Sequence, residues 1–236
     1  MGSELNCRRQ LVGHISGPLR CHHFFYNIVS SLMKPLVYWR TDTERDAVFS
    51  LVAAVEFLEQ IEARPYYWRW FVLSVHAAVQ GGLALALNNG NLVHVQKPGV
   101  SQRMLAAFEG QGEFPKPHMD NFLHLFSKAK HTDNLRPGAT PISADEELER
   151  AMVSLDEMRD EFVHFNSKSW NVEVGYMIVT ALAACEVMQQ LLDSGSILWH
   201  QRGSAAKAAR SLKRLKSALR KRANNSVRGF QSLGHK

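Results

Sequence analysis

The chain has 236 residues, 45% of them hydrophobic, which is enough for one sizeable core with flanking segments and argues against both an unfolded chain and two full domains. Its net charge of +6 is an uneven average: residues 201–236 hold eleven Lys or Arg and no Asp or Glu, and subtracting these leaves −5 on residues 1–200. That asymmetry excludes a uniformly basic nucleic-acid binder and concentrates any attraction to phosphate in one terminal segment.

In chain order, residues 1–40 mix Gly, Pro, His and Arg without periodicity and are expected to be a largely disordered extension. Thr41 and Glu44 have capping-box spacing, and Val48, Leu51, Val55 and Leu58 repeat at helical intervals as far as Arg64, which predicts a first long helix. Pro65 opens a second, running to Leu87 before the stop at Asn88, Asn89, Gly90 and Asn91. Its run from Phe71 to Leu87 is slightly short for a membrane span and contains His76, Gln80, Gly81 and Gly82, so a buried helix is expected, and no span. Residues 92–116 carry Pro98, Gly99, Gly110, Gly112 and Pro115 and leave room for a short helix over Gln102 to Phe108. A modest helix over His118 to Lys130 places Met119, Phe122, Leu123 and Phe126 on one side. After a turn-rich stretch, Ser143 and Glu146 form a second capping box, opening a helix through Leu148, Met152, Leu155, Phe162 and Phe165 that Asn166 and Ser167 break. Trp170 to His200 is apolar on most faces and is expected to be the central helix. The whole is an all-α protein: an up-down bundle of four to five helices over residues 41–200, followed by a basic tail over 201–236.

The segment Met158-Arg159-Asp160-Glu161-Phe162-Val163-His164 carries an Arg, a polar residue directly after it, and a His on the same helix. It resembles the signature of the HEPN superfamily, and the order of two long helices, a variable insertion, a motif helix and one further long helix is similar too, over roughly residues 41–200. The pairs Arg9 with His14, Arg69 with His76 and Arg228 with His235 share the spacing but not that setting, and spacing alone is a weak signal. The resemblance implies a HEPN-like bundle, a homodimer whose two motifs line one cleft, and an endoribonuclease of the toxin or phage-defence kind with a cognate antitoxin or partner protein.

The chemistry is concrete. Metal-independent RNA cleavage needs a proton acceptor for the attacking 2′-hydroxyl and a cation on the phosphate. His164 suits the first role because imidazole titrates near neutrality, and Arg159 the second because its charged fork matches phosphoryl oxygens, with Asp160 in the polar slot. A five-residue offset separates two side chains by about 140° on a continuous helix, so either the helix ends between them or a second subunit contributes. The competing reading is a non-catalytic helical module for dimerisation or for a protein or nucleotide partner, with Arg159 paired to Glu56 or Glu173 and His164 merely on the surface.

Other features carry less. His76 and Gln80 lie one turn apart and read as a satisfied core pair rather than as part of a cleft. Cys7, His14, Cys21, His22 and His23 lack a tight Cys pair, so no metal and no cofactor is expected. Three cysteines, the third being Cys185 inside a predicted helix, together with the absence of a secretory pattern, suit the cytoplasm. Trp68, Trp70, Trp170 and Trp199 are expected in the core. In the tail, Lys207, Arg210, Lys213, Arg214, Lys216, Arg220, Lys221 and Arg222 surround Leu212, Leu215 and Leu219 and form a candidate nucleic-acid-binding segment, one that becomes a helix on RNA, DNA or anionic lipid or else stays a solvated tail.

Overall fold

The computed structural model describes residues 39–164 and 170–233, so the expectations placed on residues 1–38 and on Phe165, Asn166 and Ser167 lie outside it. The chain is all-helical. Among the described residues there are seven α-helices and no strand: α1 (Thr43–Gln60), α2 (Tyr67–Leu87), α3 (Pro98–Phe108), α4 (Phe122–Ala129), α5 (Glu146–Val163), α6 (Val174–Asp193) and α7 (Ser204–Leu233).

Helix boundaries follow the cap chemistry. Asp42, not Thr41, caps α1, its side chain accepting from the Arg45 N–H at 2.9 Å. Asp145 rather than Ser143 caps α5 by accepting from the Leu148 N–H at 2.8 Å. In both cases a carboxylate nearer the helix outcompetes the hydroxyl, because its charge also favours the positive helix end. α3 starts four residues earlier than expected, with Pro98 in its first turn, where a missing N–H costs nothing.

The α1–α2 hairpin has the most extensive helix–helix contact, and glycine explains its closeness: a Cβ on Gly81 would stand 2.7 Å from the Ala47 Cβ. α2 also packs on α4, α5 and α6, and its buried Phe71, Val75, Val79 and Leu83 make it the helix around which the core gathers. α6 is shorter than expected and less central. It contacts α2, α5 and α7 but leaves Val174, Tyr176 and Val179 exposed. α2 and α6 are each long and apolar enough to cross a membrane, and the apolar window of α2 is 67% buried, that of α6 50%.

The largest departure lies after residue 200. The expected tail is a helix packed on α1 and α6, with Ala208, Leu212, Leu215 and Leu219 at most 1% exposed, so it belongs to the bundle and residue 200 is not its edge. The stripe of three leucines, read from the sequence as solvated or as ordering on a ligand, is ordered by the core instead. A polar knot fixes its start. The buried Glu44 carboxylate accepts from the backbone N–H groups of His200 (2.8 Å) and Gln201 (3.0 Å), while Gln201 donates to Asp42 (2.8 Å) and accepts from Arg45 Nε (2.9 Å). Glu44 thus satisfies the approach to α7 rather than closing a capping box. Between α6 and this knot, Gly195 takes φ +75°, a left-handed turn, and Ser196 donates to the Ala86 carbonyl at 2.6 Å, tying the connection to the end of α2.

Candidate active site

Arg159 lies in the last turns of α5 on its half-buried side. Its Nη1 is 2.5 Å from Asp160 Oδ1 and its Nη2 3.2 Å from Asp156 Oδ1, and its Nε lies 3.4 Å from His76 Nε2 on α2. His76 is buried at 3% exposure, tilted over Phe122 with ring centroids 4.3 Å apart, and its Nε2 meets Asp156 Oδ1 at 2.9 Å. An unprotonated Nε2 facing that carboxylate would set two acceptors against each other, so we assign the ring proton to Nε2, donating to Asp156. Arg159 Nε then borders the imidazole without a full hydrogen bond, and Asp156 joins the two helices by holding both His76 and Arg159.

This arrangement corrects two expectations. Arg159 pairs with Asp156 and Asp160, not with Glu56 or Glu173: Asp156, three positions earlier, shares its helix face, and the long guanidinium reaches round to its neighbour Asp160. His76 turns to Asp156 across the α2–α5 interface, and no hydrogen bond joins it to Gln80. Asp156 is the residue that sequence reasoning missed, and its only available signal was its position one turn before Arg159.

α5 ends between the two motif residues. His164 is its C-cap, with φ −88° and ψ 77°, its N–H donating to the Asp160 carbonyl at 2.9 Å and its side chain exposed. The N–H of His164 still makes the helical bond and its φ stays near-helical, so only the chain after it leaves the helix, and its side chain still departs about 140° around α5 from Arg159. No hydrogen bond or ion pair joins His164 to Arg159 among the described residues.

Beside the motif, a groove of about 590 Å³ opens between α5 and the start of α6. Glu157, Asp160, Glu161 and Glu173 line it, with Trp170 and Tyr176 as its aromatic walls. Trp170, expected in the core, is 38% exposed and meets Phe162 edge-on at 4.7 Å, and Trp70 is exposed as well, whereas Trp68 and Trp199 pack against the core. Four carboxylates make this groove a poor seat for a phosphate chain.

A second polar cluster sits at the insertion. The buried Asp120 takes Lys128 Nζ at 2.8 Å, His124 Nδ1 at 3.0 Å and the Asn121 N–H at 3.0 Å. Burial pushes its pKa up, but these donors together outweigh it and hold the carboxyl below its ordinary value. Lys128 also donates to the Gln96 carbonyl at 2.7 Å, so the cluster pins the insertion to α4 and reads as structural. Burial pushes the Cys185 thiol up to about 12, which removes it as a nucleophile.

Among the described residues no three His, Cys, Asp or Glu side chains gather as a metal site, while Cys7, His14, Cys21, His22 and His23 fall outside them. The basic residues expected to bind RNA all lie on α7, where Arg214, Lys216 and Arg222 pair with Glu59, Glu186 and Glu62 of the body. No protein-family model matches this chain, and no curated protein or solved structure matches it significantly.

Proposed function

We propose that this chain is a metal-independent endoribonuclease of HEPN type, acting as a homodimer in the cytoplasm. The observation that carries the reading is the placing of both motif residues in the last turns of α5, a half-exposed guanidinium and an exposed imidazole about 140° apart around the helix, so that a phosphate meets both kinds of group where a second subunit supplies one of them. In this reading His164 takes the proton from the ribose 2′-hydroxyl, and Arg159 exchanges its contact with Asp160 for a phosphoryl oxygen. Asp156 keeps the guanidinium in place during that exchange, because it stays anchored to His76. The apolar residues Val163, Trp170, Val174, Tyr176 and Val179, exposed around the motif, support a subunit interface there, where a second motif would add another cation against the acidic groove. A toxin or phage-defence role with a cognate antitoxin belongs to the same proposal, and α2 and α6 serve in it as bundle helices rather than spans.

The test is cleavage of single-stranded RNA in the presence of EDTA. Arg159→Ala and His164→Ala are each expected to abolish it, with products from the parent ending in 2′,3′-cyclic phosphate or 3′-phosphate. Activity lost with EDTA, or 3′-hydroxyl ends, overturns the mechanism.

One observation favours the second reading, a non-catalytic dimerisation or partner-binding module: Asp156 and Asp160 already neutralise Arg159. If so, Arg159→Ala changes the oligomeric state in sedimentation while the parent leaves RNA intact.

A further inference from the structure

Ion pairing divides the basic residues of α7 into two sets. Arg214 Nη2 lies 2.8 Å from Glu59, Lys216 Nζ 3.5 Å from Glu186, Arg222 Nη1 3.2 Å from Glu62, and Lys207 sits 4.1 Å over the Phe49 ring. These fasten the helix to the acidic body. Arg210, Lys213, Arg220 and Lys221 are exposed, and none pairs with a carboxylate among the described residues. At a step of about 100° per residue these four fall within an arc of roughly 100° on the side away from Leu212, Leu215 and Leu219, and they span about 16 Å of helix. No Asp or Glu occurs after residue 200 to offset them on their own helix.

We propose that the outward face of α7 is a phosphate-binding stripe for RNA, in which Arg210, Lys213, Arg220 and Lys221 hold the backbone. This deepens the function proposed above by naming the surface that captures the substrate, and it rests on that reading for the choice of RNA. A groove of about 340 Å³ between α1 and α7 adds to it: Lys207, Arg210 and Arg214 line it with Ser211 and Glu56, and Arg214 is also held by Glu59, which leaves the cations in excess by one. Its size and charge suit one phosphate and its sugar. A lipid surface fits less well. A helix lying in a membrane interface inserts its apolar face, and here Ala208, Leu212, Leu215 and Leu219 are already buried against the body, with no large apolar residue exposed between 204 and 225. The motif groove carries Glu157, Asp160, Glu161 and Glu173 and offers no cation in its lining among the described residues, so it holds the backbone of an RNA less well than α7 does.

The test uses the full chain carrying His164→Ala, so that RNA survives, and measures fluorescence anisotropy of a labelled single-stranded RNA between 50 and 200 mM salt. If each of the four cations meets one phosphate, log affinity falls against log salt with a slope near −3, at about 0.7 per contact. Adding Arg210→Gln, Lys213→Gln, Arg220→Gln and Lys221→Gln is expected to flatten the slope by about 3 and to weaken binding more than about tenfold at the lowest salt. Lys216→Gln with Arg222→Gln should instead lower the melting temperature and leave the slope alone. An unchanged slope in the fourfold variant, no RNA binding by its parent, or tighter binding to phosphatidylserine vesicles than to RNA overturns the stripe. RNA cleavage by the His164 protein reports separately: cleavage with an unaltered slope in the fourfold variant removes the stripe alone, and salt-dependent capture without cleavage removes the nuclease alone.

Discussion

At Arg159 a single cation faces Asp156 and Asp160 on its own helix and borders an imidazole from another, so its position is fixed by contacts that substrate need not supply. His164 is the opposite case, an exposed cap whose side chain makes no hydrogen bond or ion pair among the described residues. Two substitutions separate these roles. His164→Ala is expected to leave the melting temperature unchanged while removing cleavage, whereas His76→Ala opens a cavity beside Phe122, leaves Asp156 with Arg159 alone, and should cost about 2–3 kcal/mol in a urea titration. Equal losses of stability in the two variants would show that the imidazole of His164 is packed, not free. Asp120 gives a pH-dependent test at the same scale. Its pKa is held down, so its contribution to stability is complete above the ordinary carboxylate range and is lost as pH falls through its lowered value. Lys128→Met leaves the carboxylate buried with fewer donors, costing about 3 kcal/mol at neutral pH. Because the pKa then rises, the gap between variant and parent should narrow as pH falls from neutrality into the ordinary carboxylate range. A gap that widens on acidification would mean that Lys128 is not what holds the Asp120 charge.

Among the elements, α7 is held at two levels, by leucines in the core and by the Glu44 knot at its start. Glu44→Ala leaves the His200 and Gln201 N–H groups without acceptors in a half-buried place, at about 2 kcal/mol, and it frees the approach to the helix. The expected consequence is faster tryptic cleavage at Arg202, next to the left-handed Gly203, with α7 loosened before the rest of the bundle. Cleavage at Arg202 no faster than in the parent would assign the anchoring to the leucines. The insertion is the contrasting element. α3 buries Val100 and Met104 in a small cluster of its own with Val93, apart from the main core, and exposes Leu105 and Phe108, while the Gln96–Lys128–Asp120 cluster ties its approach to α4.

For the whole molecule, charge and packing are coupled: a body of net −5 receives a helix without a single carboxylate, and Glu59, Glu62 and Glu186 meet it where it lands. Removing residues 204–236 therefore does more than remove cations. It uncovers the seats of Ala208, Leu212, Leu215 and Leu219 on α1 and α6, and the truncated protein is expected to melt far lower or to aggregate. Leu215→Ala alone should cost about 3 kcal/mol by chemical denaturation. A truncated protein that melts like the full chain would show that α7 does not complete the core.

The sequence by itself determined the helical class, the α1–α2 hairpin with its stop at Asn88, and the place of α5, because apolar periodicity, caps and turn residues act within a few positions of one another. It also singled out Arg159, His164 and the basic residues after 200. Only the tertiary structure decided that Asp156 and His76 surround Arg159, that α5 stops before His164, and that Leu212, Leu215 and Leu219 join the core instead of waiting for a ligand. The reason is range. A thin leucine stripe among cations has the same local pattern whether it is solvated or docked, and the outcome rests on carboxylates and apolar seats on α6 and, some 150 residues earlier, on α1, which no local pattern connects to it.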